Sequence, residues 1–337
     1  MISKRFITFV WIVLVTTFLV IIAGSVVRTT QSGMGCPDWP TCFGSIVPPT
    51  KAEQVIFQPN HAYKKGQFIV YNDSLKYAVK KFVSANEYNA TDWKQYEKHN
   101  YAKFNVVETW IEYINRLLGA LLGILVLIQF IWSCWFFKSN KWVVLLSLGL
   151  VLLTGFQAWL GKTVVDSNLA LLKISLHMFG ALAMVFLCQY ILFLAKGKKR
   201  VLVGLETIQL TRVLFVAVFL QILLGTDVRA QIDTIASKFA YLNRSGWVDE
   251  LDIWFYVHRS SSLVITLLTA YLFYKNKLSG IYRPVLVVVI AEILIGVVLV
   301  YVDFPAFAQP LHLLLSSILI AAVFYNWLKI THHKIHK

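Results

Sequence analysis

The chain has 337 residues, 58% of them hydrophobic, and a formal net charge of +15. Its mean hydropathy of +0.64 is gathered in long apolar runs, which exclude an ordinary soluble core and select an all-α polytopic membrane protein. Nucleic-acid binding is excluded too: Lys4 and Arg5, Lys138 and Lys141, Lys196 to Arg200, Lys275 to Arg283 and Lys329 to Lys337 stand at alternate ends of those runs, the pattern of a multi-pass protein with both termini cytoplasmic.

Eight runs predict transmembrane helices over roughly 6–27, 111–136, 142–162, 169–195, 203–226, 253–274, 282–302 and 309–329. The first ends without a small-residue cleavage site, so it reads as a retained helix rather than a signal peptide. It leads into a long outer loop, 31–107, rich in Lys, Tyr and Asn. There the expectation is a small, partly ordered periplasmic cap with one or two short helices near 74–98. The loop opens with Cys36-Pro-Asp-Trp-Pro-Thr-Cys42, either a disulfide of an oxidising compartment or two free thiols. Cys134 and Cys188 fall in helices, where a thiol is a small apolar side chain. His61 and His99 read as solvated, and His332, His333 and His336 as a surface tail.

The helices repeat. The first ends Gly24-Ser-Val-Val-Arg28 and the fifth Gly225-Thr-Asp-Val-Arg229. The second carries Glu112, Asn115 and Arg116, and the sixth His258 and Arg259. Helix three carries Gln157 and Gly161, with His177 in helix four. Helix seven carries Glu292 and Gly296, with His312 in helix eight. The step from Gly161 to His177 equals that from Gly296 to His312. This predicts two pseudo-twofold-related four-helix bundles of parallel topology, divided as 1–200 and 201–337.

An imidazole in hydrocarbon needs a partner and marks a functional site by default. His258 and His312 begin facing helices, an arrangement suited to holding haem iron between two axial nitrogens; the plainer alternative is two separately hydrogen-bonded core histidines. Arg28 and Arg229 end helices at the same level and suit haem propionates, or else snorkel to headgroups. Arg116 and Arg259 follow their site residues directly and call for an anionic partner. Glu112 lies one turn from Asn115 on the same face, placing a carboxylate where it can move a proton or stabilise positive charge. Gln157 and Glu292 read as a structural hydrogen-bonding pair between the halves, with a proton path as the alternative.

Residues Gly24 to Gly44, Glu112-Tyr-Ile-Asn-Arg116, Leu176-His177, Val257-His258-Arg259 and Pro310-Leu-His312 together resemble the haem A synthase family, over nearly the whole chain except residues 45–107. The resemblance implies an eight-helix protein of the bacterial cytoplasmic (inner) membrane that oxidises a methyl group of haem O to the formyl group of haem A for terminal oxidases. It further implies a b-type haem cofactor between His258 and His312, with Arg229 and Arg259 beside it. The N-terminal half then receives haem O at His177, Asn115, Arg28 and Arg116, beside a catalytic Glu112, and Cys36 and Cys42 match the family's loop cysteine pair. Haem O synthase, oxidase assembly proteins and further copies of the chain are the expected partners, and water the expected oxygen source.

Asn115 departs from the family, whose motif carries histidine there. An amide is a poor iron ligand, so the expectation is a substrate iron held by His177 alone. Three other readings compete: a dihaem electron carrier, which Asn115 disfavours; a haem-delivery or oxidase-assembly factor, which Asn115 favours; and a two-repeat transporter, which lacks the paired helix interruptions such folds use.

Overall fold

The computed structural model describes residues 2–98, 103–197 and 200–331; His99 and the histidines of the C-terminal tail lie outside them. Eight long helices dominate: α1 (Lys4–Thr29), α2 (Val106–Ser133), α3 (Lys141–Asp166), α4 (Leu171–Ala195), α5 (Leu205–Lys238), α6 (Ile253–Lys275), α7 (Arg283–Tyr301) and α8 (Ala308–Lys329). Their bounds fall within a few residues of the expected spans, with one large exception. α5 runs on to Lys238 instead of stopping near 226, because Val228, Ile232 and Ile235 continue an apolar stripe at helical spacing. That stripe packs on Trp247, Leu251, Phe255 and Phe304, so helix takes up part of the expected 230–252 loop.

Among the described residues seven helices are long and apolar enough to cross a membrane, which defines a multi-pass membrane protein. α6 has the length, 23 residues, but His258, Arg259 and three consecutive serines dilute its first half. The hydroxyls of Ser261 and Ser262 donate back to the carbonyls of His258 and Arg259 at 3.1 and 2.6 Å, so that polarity is met inside the helix.

Contacts divide the chain into two compact units. One comprises Ala23–Ile124 and Thr154–Phe179. It includes a β-structured cap: β1 (Ala62–Tyr63), β2 (Phe68–Tyr71), β3 (Ser74–Ala78), β4 (Phe82–Val83) and β5 (Trp93–Gln95). The strands form an antiparallel β2-β3-β5 sheet and a β1-β4 pair. This overturns the expected helices near 74–98, where β3, β4, β5 and one 3-10 turn at Ala90–Asp92 stand instead. The cause is the Asn72-Asp73 pair, both at positive φ, which makes the two-residue turn whose twist matches a hairpin. Tyr63, Ile69, Ala78 and Trp93 form one small core, and Cys36, Cys42, Phe43, Val55, Phe68 and Leu75 another. His61 is half-buried rather than solvated, edge-on to Tyr63 with ring centres 4.7 Å apart.

The cysteine loop is seated on the start of α2. The Thr109 hydroxyl donates to the Gly35 carbonyl at 2.8 Å, and a Cβ on Gly35 would lie 2.5 Å from the backbone of Glu108. Gly35→Ala must therefore push loop and helix apart. It is expected to destabilise this unit by about 1–3 kcal/mol, the usual cost of overpacking, read as a lower midpoint in thermal unfolding of the purified protein.

The other unit comprises Met1–Ile22, Leu125–Leu153 and Gly180–Lys337. Within it α5 packs on α6, α6 on α7, α7 on α8 and α8 back on α5, closing a four-helix bundle. Asp252 caps α6 by accepting from the Trp254 amide at 2.8 Å, which satisfies one of the orphan donors of its first turn. A short parallel pair, β6 (Val201–Leu202) with β7 (Ile330–Thr331), ties the segment before α5 to the end of α8.

Candidate functional site

In the α5–α8 bundle, His258 and His312 stand opposite each other with ring centres 6.4 Å apart and planes at 83°. Two imidazoles bound to one metal from opposite sides, at about 2 Å per metal–nitrogen bond, keep their ring centres about 6 Å apart. Both Nδ1 atoms are buried without a hydrogen bond, and that of His312 lies 2.5 Å from a carboxylate oxygen of Glu292. A carboxylate behind a histidine is the arrangement that orients the ring and leaves its other nitrogen for a metal. Two donors do not hold a bare ion, and among the described residues no cluster of three or more His, Cys, Asp or Glu does so. Two axial nitrogens do suit a porphyrin, which brings its own equatorial ligands. The residues present fit haem.

Each ring is lodged against a glycine of the preceding helix. A Cβ on Gly225 would lie 2.9 Å from Cε1 of His258, and one on Gly296 would lie 3.9 Å from Cε1 of His312. In the other unit, a Cβ on Gly161 would lie 3.6 Å from Cε1 of His177. A Cβ on the fourth glycine, Gly24, would meet nothing within 4 Å; its partner in the sequence repeat is the shorter Asn115. Gly225→Ala is expected to tilt His258 off its position, and a haem-loaded preparation should then lose low-spin absorbance while keeping its helical circular dichroism.

Gln221 is a residue the sequence pattern did not bring forward. Its amide nitrogen donates to the His258 carbonyl at 2.7 Å, and its oxygen accepts from Ser261, fixing the turn that carries the ring. The signal was present: Gln157, Gln221 and Glu292 each stand four residues before Gly161, Gly225 and Gly296, on the same helical face. Glu292 is engaged by His312, and both amide atoms of Gln157 are buried without a partner.

Arg229 donates to Gln309, three residues before His312, and pairs with Asp233 at 2.8 Å. Arg259 is exposed and lies over the Phe255 and Tyr256 rings of its own helix, 5.8 and 5.3 Å from their centroids.

In the unit with the cap, Cys36 and Cys42 form a disulfide. Glu112 is buried, with 3% of its surface exposed. One of its oxygens accepts from the Cys36 amide at 2.7 Å, and the other from Nε and Nη2 of Arg116. Arg116 also donates to the carbonyls of Asp38 (2.6 Å), Thr41 (2.8 Å) and Cys36 (2.9 Å). All five of its N–H groups are thereby used. The anionic partner that the sequence called for at Arg116 is Glu112, and the arginine also clamps the cysteine loop to α2. Asn115 Oδ1 and His177 Nδ1 are buried without partners, the condition of polar groups that await a ligand.

Seven helices among the described residues able to span a membrane, with two imidazoles set opposite each other within a four-helix bundle, define the class: a multi-pass helical membrane protein with a facing pair of histidines. A family model described as cytochrome oxidase assembly protein matches residues 7–89 and 72–324. The chain belongs to this cytochrome oxidase assembly protein family. Among its relatives is a haem A synthase of Shewanella oneidensis, 26% identical over 248 residues covering 72% of this chain and 62% of that protein. A haem A synthase of Bartonella quintana is 25% identical over 197 residues, 56% of this chain and 47% of the relative. One from Flavobacterium psychrophilum is 22% identical over 350 residues, 92% of this chain and 93% of the relative. The matched stretch thus spans less than two thirds of the first two relatives and nearly all of the third.

Proposed function

We propose that this chain is a haem A synthase, oxidising a methyl group of haem O to the formyl group of haem A for a terminal oxidase. The observation that carries the reading is the His258–His312 pair at metal-bridging separation, in a chain whose relatives are named for this activity. The proposal includes eight membrane spans, α6 among them, in two pseudo-twofold halves (1–200 and 201–337), with the cap outside a bacterial inner membrane and both termini in the cytoplasm. The equal glycine-to-histidine spacing and the basic residues at alternate helix ends support it.

In the C-terminal half, His258 and His312 would hold a b-type haem, which supplies one-electron redox chemistry when bound. Gln221 would fix the backbone of one ligand and Glu292 orient the ring of the other, while Arg229, now paired with Gln309 and Asp233, would turn to a propionate. In the N-terminal half, His177 would hold the iron of the substrate, with Arg28 toward its propionates. Glu112 would take a proton from the reacting carbon or steady positive charge there. Each step would take its oxygen from water and give a pair of electrons and a pair of protons to an external acceptor of the quinone class, methyl to alcohol and alcohol to hydrated aldehyde, which loses water to leave the formyl group.

With Asn115 a poor ligand, the substrate iron is left open on one side. Carbon monoxide should therefore bind the reduced, haem O-loaded protein and shift its spectrum, and Asn115→His should suppress that shift. The deciding experiment is to express the chain with a haem O source, extract the pigments and measure formyl haem by mass.

One observation favours a second reading, a non-catalytic haem-delivery or oxidase-assembly factor. Both oxygens of Glu112 are occupied by the Arg116–Cys36 clamp, as a purely structural carboxylate would be. The same expression experiment separates the two: a delivery factor returns haem O unchanged.

A further inference from the structure

We propose that a cleft at the basic end of the α5–α8 bundle binds the phosphodiester headgroup of an anionic phospholipid. The cleft, about 450 Å³, lies between the ends of α4 and α8 and the start of α5, with Arg200 and Arg212 on its walls. It is independent of the histidine pair and of the haem reading. Ile208 and Arg212 are one turn apart on the same face of α5, and the β6–β7 pair sets Arg200 beside Thr331, whose hydroxyl is 3.5 Å from Nη1.

The charge balance points to an anion. Among the described residues Arg200 has only that long hydroxyl contact and the face of Phe193, 6.0 Å from its centroid. Arg212, two turns into a membrane-spanning helix, makes no hydrogen bond or ion pair among the described residues. The acid nearest in sequence, Glu206, is committed to Lys275 and Tyr271 of α6. Two guanidiniums thus share a cleft whose lining holds no carboxylate among the described residues. Guanidinium matches phosphate geometry through paired N–H donors, and an uncompensated cation at membrane depth is costly.

The rest of the lining selects a lipid over a free anion. Tyr190, Phe193, Ile208, Trp327 and Leu328 surround the arginines, a ring-and-aliphatic wall that suits acyl chains. Basic pockets between helices at the cytoplasmic boundary take anionic headgroups elsewhere by the same physics.

The test uses the full chain purified in detergent and titrated separately with phosphatidylglycerol, phosphatidylcholine and inorganic phosphate, read by native mass spectrometry and thermal unfolding. Phosphatidylglycerol should remain bound and raise the unfolding midpoint, and the Arg200→Gln/Arg212→Gln double variant should weaken its retention at least tenfold. Lys138→Gln, which removes one exposed charge far along the sequence, should leave retention unchanged, and Arg200→Lys/Arg212→Lys should restore part of it. Equal retention of phosphatidylcholine, unchanged retention in the double variant, or an equal loss in Lys138→Gln would overturn the site. Inorganic phosphate protecting as well as phosphatidylglycerol would overturn its assignment to lipid.

Discussion

Alanine at His258 or at His312 is expected to strip the C-terminal bundle of its haem, so that protein purified with ample pigment supply loses its low-spin b-type spectrum. In the proposed site each ring would supply one of the two protein nitrogens that hold the iron, and neither has a nearby substitute among the described residues. In the α5–α8 bundle the rings are 6.4 Å apart, and a Cβ on the glycine behind His258 would lie 2.9 Å from its Cε1. Glu292→Gln gives a graded version of the same test. The amide keeps the size of the carboxylate but loses the charge behind His312 Nδ1, and loss of such an orienting partner costs about 10–100-fold in metal-site affinity. The expected order of haem retention is wild type, then Glu292→Gln, then either alanine variant. A spectrum indifferent to all three substitutions would remove haem from this bundle and the proposed function with it.

The order of elements was readable because hydrophobic length is local information. Runs of about 20 apolar residues specify spanning helices without reference to the rest of the chain, and the bounds of α1, α4, α6 and α8 follow closely. The end of α5 was not legible because its last three turns are stabilised by Trp247, Leu251 and Phe304, residues whose contacts are not visible from the helix itself. The cap escaped for a different reason: Asn72-Asp73 between two alternating segments is a hairpin signal, but the Lys- and Tyr-rich composition obscured the alternation. In the site, the histidines, Glu112 and Arg116 stood out by residue type, and the equal glycine-to-histidine steps marked the repeat. What holds Arg116 was not visible, because the carbonyls that meet it come from residues 36–41, over seventy positions earlier in the chain. Gln221 sits in an apolar helix with no charge to draw attention, although it repeats the position of Gln157 relative to its glycine.

Glu112→Gln is expected to keep haem in both halves yet stop the reaction at haem O or at an alcohol, with formyl haem reduced at least about a hundredfold, the usual scale for a lost acid–base group. The difficulty is that Glu112 also serves the clamp, so a loss of product by itself does not identify a chemical role. Gln retains an oxygen to accept from the Cys36 amide, but it returns no negative charge to Arg116, whose guanidinium still has the carbonyls of Cys36, Asp38 and Thr41. The loop should therefore stay seated, with the Cys36–Cys42 disulfide intact by mass and a thermal midpoint close to wild type. Arg116→Lys supplies the opposite case: it keeps a cation beside Glu112 but cannot span three carbonyls with one ammonium, so it should loosen the loop and lower the midpoint while the carboxylate remains. If Glu112 acts on the substrate, product falls far more in Glu112→Gln than the unfolding midpoint does, and Arg116→Lys shows the reverse balance. If Glu112 is only a strut, product in both variants tracks the stability of the loop, and the chain is a carrier of haem rather than its oxidant.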